Sequence, residues 1–529
     1  MTFTALYRHH VREALHRLGI RAFALAIHDA SFPAVSGADT GRGSPYSTAG
    51  ERLLRFARAL GFNTVQCGPQ GEVARGNASP YDSTIFSRST LSIALDRLVD
   101  DGLLKPETLD RATRGHAAGC PRRIQHTYAV DAHRAALTEV ADAFRLQAST
   151  ETRQGLARFR EANWSWLASD AYYEALATTY GEEDFRRWPD PRLVELFNCT
   201  DASTRLHQVA VPAVHTERME RYVLWQYLAH RQHASLRARC RQLGLKLYGD
   251  MTIGMSLRDT WRRQSLFLPG YALGAPPSRT NPAGQAWGYP VLDPGQYLQA
   301  DGQPGPVLQF VTARIENMLA AFDGVRIDHP HGLVCPWVYR TDVPDPLVAV
   351  QTGERLFSSP EIFDHPALAH FAIATPQDIA PDQPRFADGW VHTLRPEQIE
   401  RYALFFESIV AAIKRHGASV DDLQPEVLST LPYPLACVLQ RYGLGRYRVT
   451  QKANLEDPDD VYRAEQAEPA DWIMLGNHDT PPIWQLVQRW QSSGQLAAQA
   501  AHLAQRLFPQ SDDARTTHPP ALLRHPDGV

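Results

Sequence analysis

An α/β fold of the TIM-barrel type is what this sequence predicts, and three observations carry it. Short apolar runs ending in polar or charged residues recur along the chain. Helix-like segments separate most of them. Acids close several of the runs. The runs lie at 22–29, 64–68, 245–250, 324–328, 418–422, 447–451 and 472–479. Buried parallel strands read as short apolar runs rather than as strict alternation. Helical periodicity at 50–62 precedes the second run, and at 220–244 the third. Strand, helix, strand in sequence implies a parallel sheet. Seven such strands favour a (β/α)8 barrel over an open sheet. No eighth run is legible after the seventh, so the last strand is expected to be missing or atypical. In a barrel the catalytic groups stand where strands end. Asp250, Asp328, Asp421 and Asp479 stand at such ends.

The chain between the second and third runs is far longer than one crossover helix needs. Its pattern is largely helical, for example at 156–181. It reads as an inserted, mainly helical subdomain at 110–235 within a single catalytic domain, 1–529. Residues 267–295 are rich in Gly, Pro and aromatics, which suits an ordered loop over a site. Residues 340–395, rich in Pro and Asp, read as a second insertion. The polar tail 510–529 is expected to fray.

Lys and Arg total 54 against 58 Asp and Glu, a net charge of −4. No basic excess points to nucleic acid or an anionic membrane. No apolar stretch reaches the ~18 residues of a membrane span. The N-terminus has helical spacing without the apolar core of a signal peptide. Cys67, Cys120, Cys199, Cys240, Cys335 and Cys437 are scattered, with no C-x-x-C pair. Free thiols in a reducing compartment follow, and with them a cytoplasmic protein.

Arg326 and Asp328 are two apart at the end of a run, so in a strand they share a face. The guanidinium would hold the carboxylate ionised and oriented, as a nucleophile at an anomeric carbon requires. A structural ion pair at the barrel rim fits the same spacing. His478 and Asp479 fit sugar-hydroxyl binding, or a capped helix start. A metal centre does not fit: His329 and His331 follow a strand and lack the helical spacing of a ligand pair. No metal or cofactor is expected. Asp250 reads as a hydroxyl ligand or a helix N-cap. Asp421 and Asp422 read as a source of a general acid or as a solvated helix start. Tyr81, Trp287 and Tyr289 lie in Gly- and Pro-rich segments, as sugar platforms or as packing anchors.

Taken in order, these segments resemble glycoside hydrolase family 77, the 4-α-glucanotransferases. Gly76 to Tyr81 resembles the family's G-x-SPY segment. Tyr248-Gly249-Asp250-Met251-Thr252-Ile253 resembles its GD-[LM]-P-I segment, with Thr252 in place of proline. Gly274-Ala275-Pro276-Pro277 and Gly284-Gln285-Ala286-Trp287-Gly288 resemble its loop motif. Arg326-Ile327-Asp328-His329 resembles the nucleophile segment, and Asn477-His478-Asp479 the segment of the third acid. The resemblance implies a (β/α)-barrel in which Asp328 is the nucleophile and Asp479 the acid that stabilises the transition state. It implies substrate binding by Arg326, His478 and Asp250. The family's acid/base is a glutamate in an A-E-D-L-G segment. Aligned on Val420-Asp421-Asp422-Leu423, its counterpart is Asp421, one methylene shorter; Glu407 and Glu426 stand in contexts that do not fit.

The chemistry so implied is a retaining double displacement on α-1,4-glucans such as maltooligosaccharides, as donor and acceptor. The shorter acid and the absent eighth strand leave two alternatives, an impaired α-glucan-binding homologue and an α-glucan hydrolase.

Overall fold

The computed structural model describes residues 3–35, 37–115, 123–198, 213–279, 281–360 and 364–507. Two compact units make it up, Met1–Arg446 and Tyr447–Val529. In the first unit the strands are β1 (Ala24–Ile27), β2 (Thr64–Cys67), β3 (Lys246–Met251), β4 (Phe267–Ala275), β5 (Gln285–Leu292), β6 (Gly324–Ile327), β7 (Trp337–Arg340), β8 (Glu354–Arg355) and β9 (Leu423–Pro425). The second unit holds β10 (Tyr447–Val449) and β11 (Trp472–Met474).

A five-stranded sheet in the order β1-β2-β3-β6-β9 is the frame of the first unit, and every pairing in it is parallel. All four residues of β6 are buried. Val325 and Ile327 join Ile315 and Leu319 of helix Pro306–Ala321, and Phe406 and Ile409 of helix Leu404–Arg415, in one apolar cluster. Each such side chain contributes roughly 1.5–3 kcal/mol by leaving water. Alternation then hands the polar residues of β6, Arg326 and the following Asp328, to the opposite face.

The expected barrel is not closed. The five strands form an open sheet with β1 and β9 at its edges, and β10 pairs in parallel with β11 in the second unit. Among the described residues no strand follows β11; helices Ile483–Ser492 and Leu496–Leu507 do. The tail at 510–529 lies outside the described residues, as do Cys120 and Cys199.

Two further expectations are corrected. Residues 418–422 are not a strand: Val420–Asp422 is a single 3-10 turn, and the strand begins at Leu423. Helix Leu404–Arg415 stops just before Gly417, whose φ of 70° turns the chain toward the sheet. The two acids therefore stand at the entrance of β9 rather than its exit. The segment 267–295 is not a loop but the β4–β5 hairpin. With β7 and β8 it builds an antiparallel sheet in the order β5-β4-β7-β8. Its glycines, prolines and two register shifts disrupt the alternation by which a hairpin is read.

Residues 110–235 carry the long helices His126–Gln147, Thr150–Tyr180 and the start of Ala213–Leu243. Their own core gathers Trp166, Tyr172, Tyr173 and Trp225, with Trp188 and Trp261. Within 340–395 a small cluster of Ala374, Trp390 and Val391 lies among turns.

Candidate active site

Register places the chemistry. Asp250 of β3 pairs with Arg326 of β6, and Arg326 with Gln424 of β9. Residues two apart in a strand share a face. Asp328 therefore stands with Arg326, and Glu426 with Gln424, all on one face at the C-terminal ends of adjacent strands. The backbone continues the ladder: Asp328 N–H donates to Met251 O at 3.0 Å and Glu426 N–H to Ile327 O at 2.9 Å.

Arg326 holds three carboxyl groups. Its Nη1 donates to both oxygens of Asp250 at 2.5 Å. Its Nη2 donates to Asp328 Oδ1 at 3.1 Å and lies 2.5 Å from Glu426 Oε2. Those last two oxygens touch one nitrogen, so they are no farther apart than the two distances laid end to end. The two acids also hydrogen-bond each other, which brings them well inside the roughly 6.5–9.5 Å of an inverting pair and nearer the roughly 5–5.5 Å of a retaining one. The side chain of Asp328 is 15% exposed against 1% for Asp250, so Asp328 is the acid that a substrate reaches.

One guanidinium cannot neutralise three carboxylates. Burial pushes the Asp250 carboxyl up to about 7 against the pull of Arg326, and repulsion from Asp328 and Glu426 adds to the rise. Burial likewise raises Glu426 against Arg326, helped by the charge of Asp328 and a hydrogen bond to it. A protonated Glu426 beside Asp328 is the arrangement of a general acid next to a nucleophile.

Aromatic rings flank this cluster. The Arg326 guanidinium lies 5.8 Å from the centre of the Tyr81 ring. The Tyr81 hydroxyl is 3.4 Å from His28 Nε2. Trp287, on β5, meets the His329 ring edge-on at 4.7 Å. His329 has a φ of 43°, the one positive value outside glycine among the described residues. Such backbone strain gathers at functional sites. It turns the chain sharply after the nucleophile candidate and stacks His329 on His331 at 4.5 Å. Burial holds the His329 imidazole neutral, its pKa lowered to about 4. Thr252, where the family has proline, accepts a hydrogen bond at its hydroxyl from Arg314 Nη2 at 3.2 Å.

Asp421 is not in this cluster. It lies at the opposite end of the strands, exposed, in an ion pair with Arg21 just before β1 at 2.7 Å. An acid leading into a parallel strand and one leaving it are separated by the length of the strand. His478 and Asp479 belong to the second unit. There His478 Nε2 lies 3.3 Å from Asp479 Oδ1, and Lys452 Nζ lies 4.0 Å from Asp479 Oδ2.

Glu426 is the residue the sequence reading passed over. Asp421-Asp422-Leu423 mimics the E-D-L of the family segment. Pro425-Glu426-Val427-Leu428-Ser429 keeps the glutamate and the leucine at their proper spacing. Gly417 was the available signal: a glycine closing a helix marks the entry of the next strand, so its acid had to be sought several residues later.

The family profile of the 4-alpha-glucanotransferases, glycoside hydrolase family 77, matches residues 33–523. The chain belongs to this family. A 4-alpha-glucanotransferase of Thermus thermophilus is 29% identical over 377 residues, 68% of this chain and 69% of that protein. The chloroplastic/amyloplastic enzyme of Solanum tuberosum is 27% identical over 331 residues, 60% of this chain and 53% of its own length. The chain thus spans about half the length of the potato relative. Among solved structures, an amylomaltase from Streptococcus agalactiae in complex with acarbose superposes with a TM-score of 0.68 at 17% identity, covering 91% of this chain and 84% of that one. The Corynebacterium glutamicum amylomaltase gives 0.58 at 16% identity, over 97% and 60%. These likenesses establish an α/β fold with a parallel sheet like that of amylomaltase. This chain is a 4-α-glucanotransferase family enzyme, and no helix among its described residues is long and apolar enough to cross a membrane.

Proposed function

We propose that this 4-α-glucanotransferase moves α-1,4-linked glucosyl or maltosyl segments between maltooligosaccharides by a retaining double displacement, with Asp328 as nucleophile and Glu426 as acid/base. The observation that carries the reading is the meeting of both carboxyls at one nitrogen of Arg326. Asp328 attacks the anomeric carbon while Glu426 passes its proton to the departing glucan oxygen. The covalent glucosyl-enzyme then forms on Asp328. Glu426, now a base, takes the proton of an acceptor 4-hydroxyl, and the bond to Asp328 breaks as the new glycosidic bond forms. Arg326 orients both acids, and Asp250 orients Arg326. Tyr81 and Trp287 offer aromatic faces to sugar rings.

The Asn477-His478-Asp479 motif supports a substrate-binding role for His478 and a transition-state-stabilising role for Asp479. The amylomaltase likeness supports reading the five-stranded sheet as part of a TIM-type barrel. Free thiols at Cys67, Cys240, Cys335 and Cys437 support a reducing, cytoplasmic setting.

Incubation with maltotriose tests the function. The expected products are glucose and longer maltodextrins. Asp328→Asn and Glu426→Gln should each lower the rate by several orders of magnitude. Rising reducing ends without longer products would identify a hydrolase instead, and undiminished activity of either variant would overturn its assignment.

A further inference from the structure

Between the two aromatic walls of the site lies a contact that neither the family motifs nor the proposed mechanism uses. Asp82 follows Tyr81 directly. Its Oδ1 accepts a hydrogen bond from the Tyr289 hydroxyl, and its Oδ2 accepts one from Asn77 Nδ2 at 2.6 Å. Asn77 Oδ1 in turn accepts from Ser79 N–H at 2.9 Å, which fixes the turn carrying Tyr81. Tyr289 lies two residues beyond Trp287 on the hairpin, and their ring centres are 6.2 Å apart. One carboxylate thus joins the loop that sets Tyr81 over Arg326 to the strand that sets Trp287 against His329.

The crossing is tight. A Cβ at Gly254 would stand 2.6 Å from the Tyr81 carbonyl oxygen and 2.8 Å from Tyr289 Cζ. Only a glycine lets the chain after β3 pass beneath Tyr81 and Tyr289 there. Burial and the neighbouring Asp82 carboxylate raise the Tyr289 phenol well above its ordinary range, so its proton stays in the contact at any working pH.

We infer that Asp82 and Tyr289 form a positioning latch that sets the gap between the Tyr81 and Trp287 walls, and thereby the partition of the glucosyl-enzyme between glucan acceptor and water. The inference rests on the proposed double displacement. A glucosyl-enzyme is consumed by whichever hydroxyl reaches the anomeric carbon in line. A sugar acceptor needs both walls at a fixed spacing, whereas water needs neither. Loosening the latch should cost acceptor binding and transfer more than it costs formation of the glucosyl-enzyme.

The test measures three quantities with maltotriose as donor and glucose as added acceptor: the glucosyl-enzyme formation rate, the acceptor KM, and the ratio of transfer to hydrolysis. Tyr289→Phe should raise the acceptor KM and the hydrolytic share by roughly 3- to 10-fold, the range a single hydrogen bond of ordinary net strength gives, with formation of the intermediate changed less than 2-fold. The Asp82 series should be graded. Asp82→Asn keeps an oxygen for Tyr289 but loses the Asn77 contact, and Asp82→Ala loses both. Thermal melting accompanies each variant, so a variant that fails to fold is replaced by Asn77→Ala, which removes one arm of the same latch from an exposed turn. Variants that melt like wild type and keep its partition and acceptor KM overturn the latch. An Asp328→Asn variant that still transfers overturns the mechanism beneath it, so the two failures are distinguishable.

Discussion

At the residue scale the decisive group is Arg326, because three acids depend on it. Its planar fork gives Nη1 to Asp250 and Nη2 to both Asp328 and Glu426. An ammonium on a flexible stem cannot reproduce that division. Arg326→Lys is therefore expected to lower kcat by at least 100-fold despite its retained charge, as steady-state kinetics on maltotriose would register. A wild-type rate would place the orientation of the acids elsewhere. Asp421→Asn should leave kcat within about 2-fold, because an exposed ion pair contributes only ~0–1 kcal/mol and lies at the other end of the strands. The raised carboxyls give the pH dependence a sign. Glu426 must carry a proton to act as an acid, and burial shifts its loss of that proton to higher pH. The alkaline limb of kcat/KM should accordingly fall above the ordinary glutamate range, and in Glu426→Gln that limb should vanish from the residual rate. The sequence made Arg326, Asp328 and Asp250 legible because strand alternation and a motif agreed there. Glu426 was obscured by an imitation of its motif five residues earlier.

At the element scale, β6 links stability to chemistry. Ile327 is fully buried between Arg326 and Asp328. Ile327→Ala should destabilise the fold by ~2–5 kcal/mol and also lower kcat, since the strand that relaxes into the cavity carries both polar neighbours. A distant element should separate the two effects. Ser149 caps the long helix Thr150–Tyr180 by accepting from Thr152 N–H at 3.2 Å. Ser149→Ala should cost ~0.5–2 kcal/mol in urea melts with kcat unchanged. Elements whose periodicity is uninterrupted were readable from sequence, as with β2, β3 and β6 and the helices that precede the first two. The β4–β5 hairpin was not, because Pro269, Gly270, Gly288 and Pro290 interrupt both strands. Its first strand is held on its other edge by β7, a segment more than 60 residues away, a pairing that local periodicity does not announce.

At the scale of the whole molecule, buried titratable groups tie stability to pH in two directions. His133 hydrogen-bonds Thr40 Oγ1 at 3.1 Å, and burial lowers its pKa to about 3. The unfolded chain takes up that proton near pH 6.5 and the native state does not, so this contribution is lost as pH falls through that window. Asp250 and Glu354, both raised by burial to about 7, act oppositely: their contribution is lost as pH rises toward 7. The total profile mixes both, and a difference measurement isolates one group. Between pH 6 and 4, urea stability of His133→Gln should depend on pH less steeply than wild type by ~1.4 kcal/mol per unit. Equal slopes would mean that His133 titrates normally in the native state. The closed barrel was the larger sequence expectation, and seven periodic runs did suggest it. Hydrogen bonding among the described strands instead gives a five-stranded sheet and a separate pair, an arrangement that periodicity alone does not encode.

Asp328 as the nucleophile beside Glu426 is the claim on which the rest depends, and trapping the intermediate tests it most directly. In Glu426→Gln an α-glucosyl fluoride donor needs no acid to leave, whereas release of the sugar still needs the missing base. Mass spectrometry of the digested protein should find one hexose on the peptide containing Asp328. A hexose on any other residue, or free turnover with no adduct, would contradict the account.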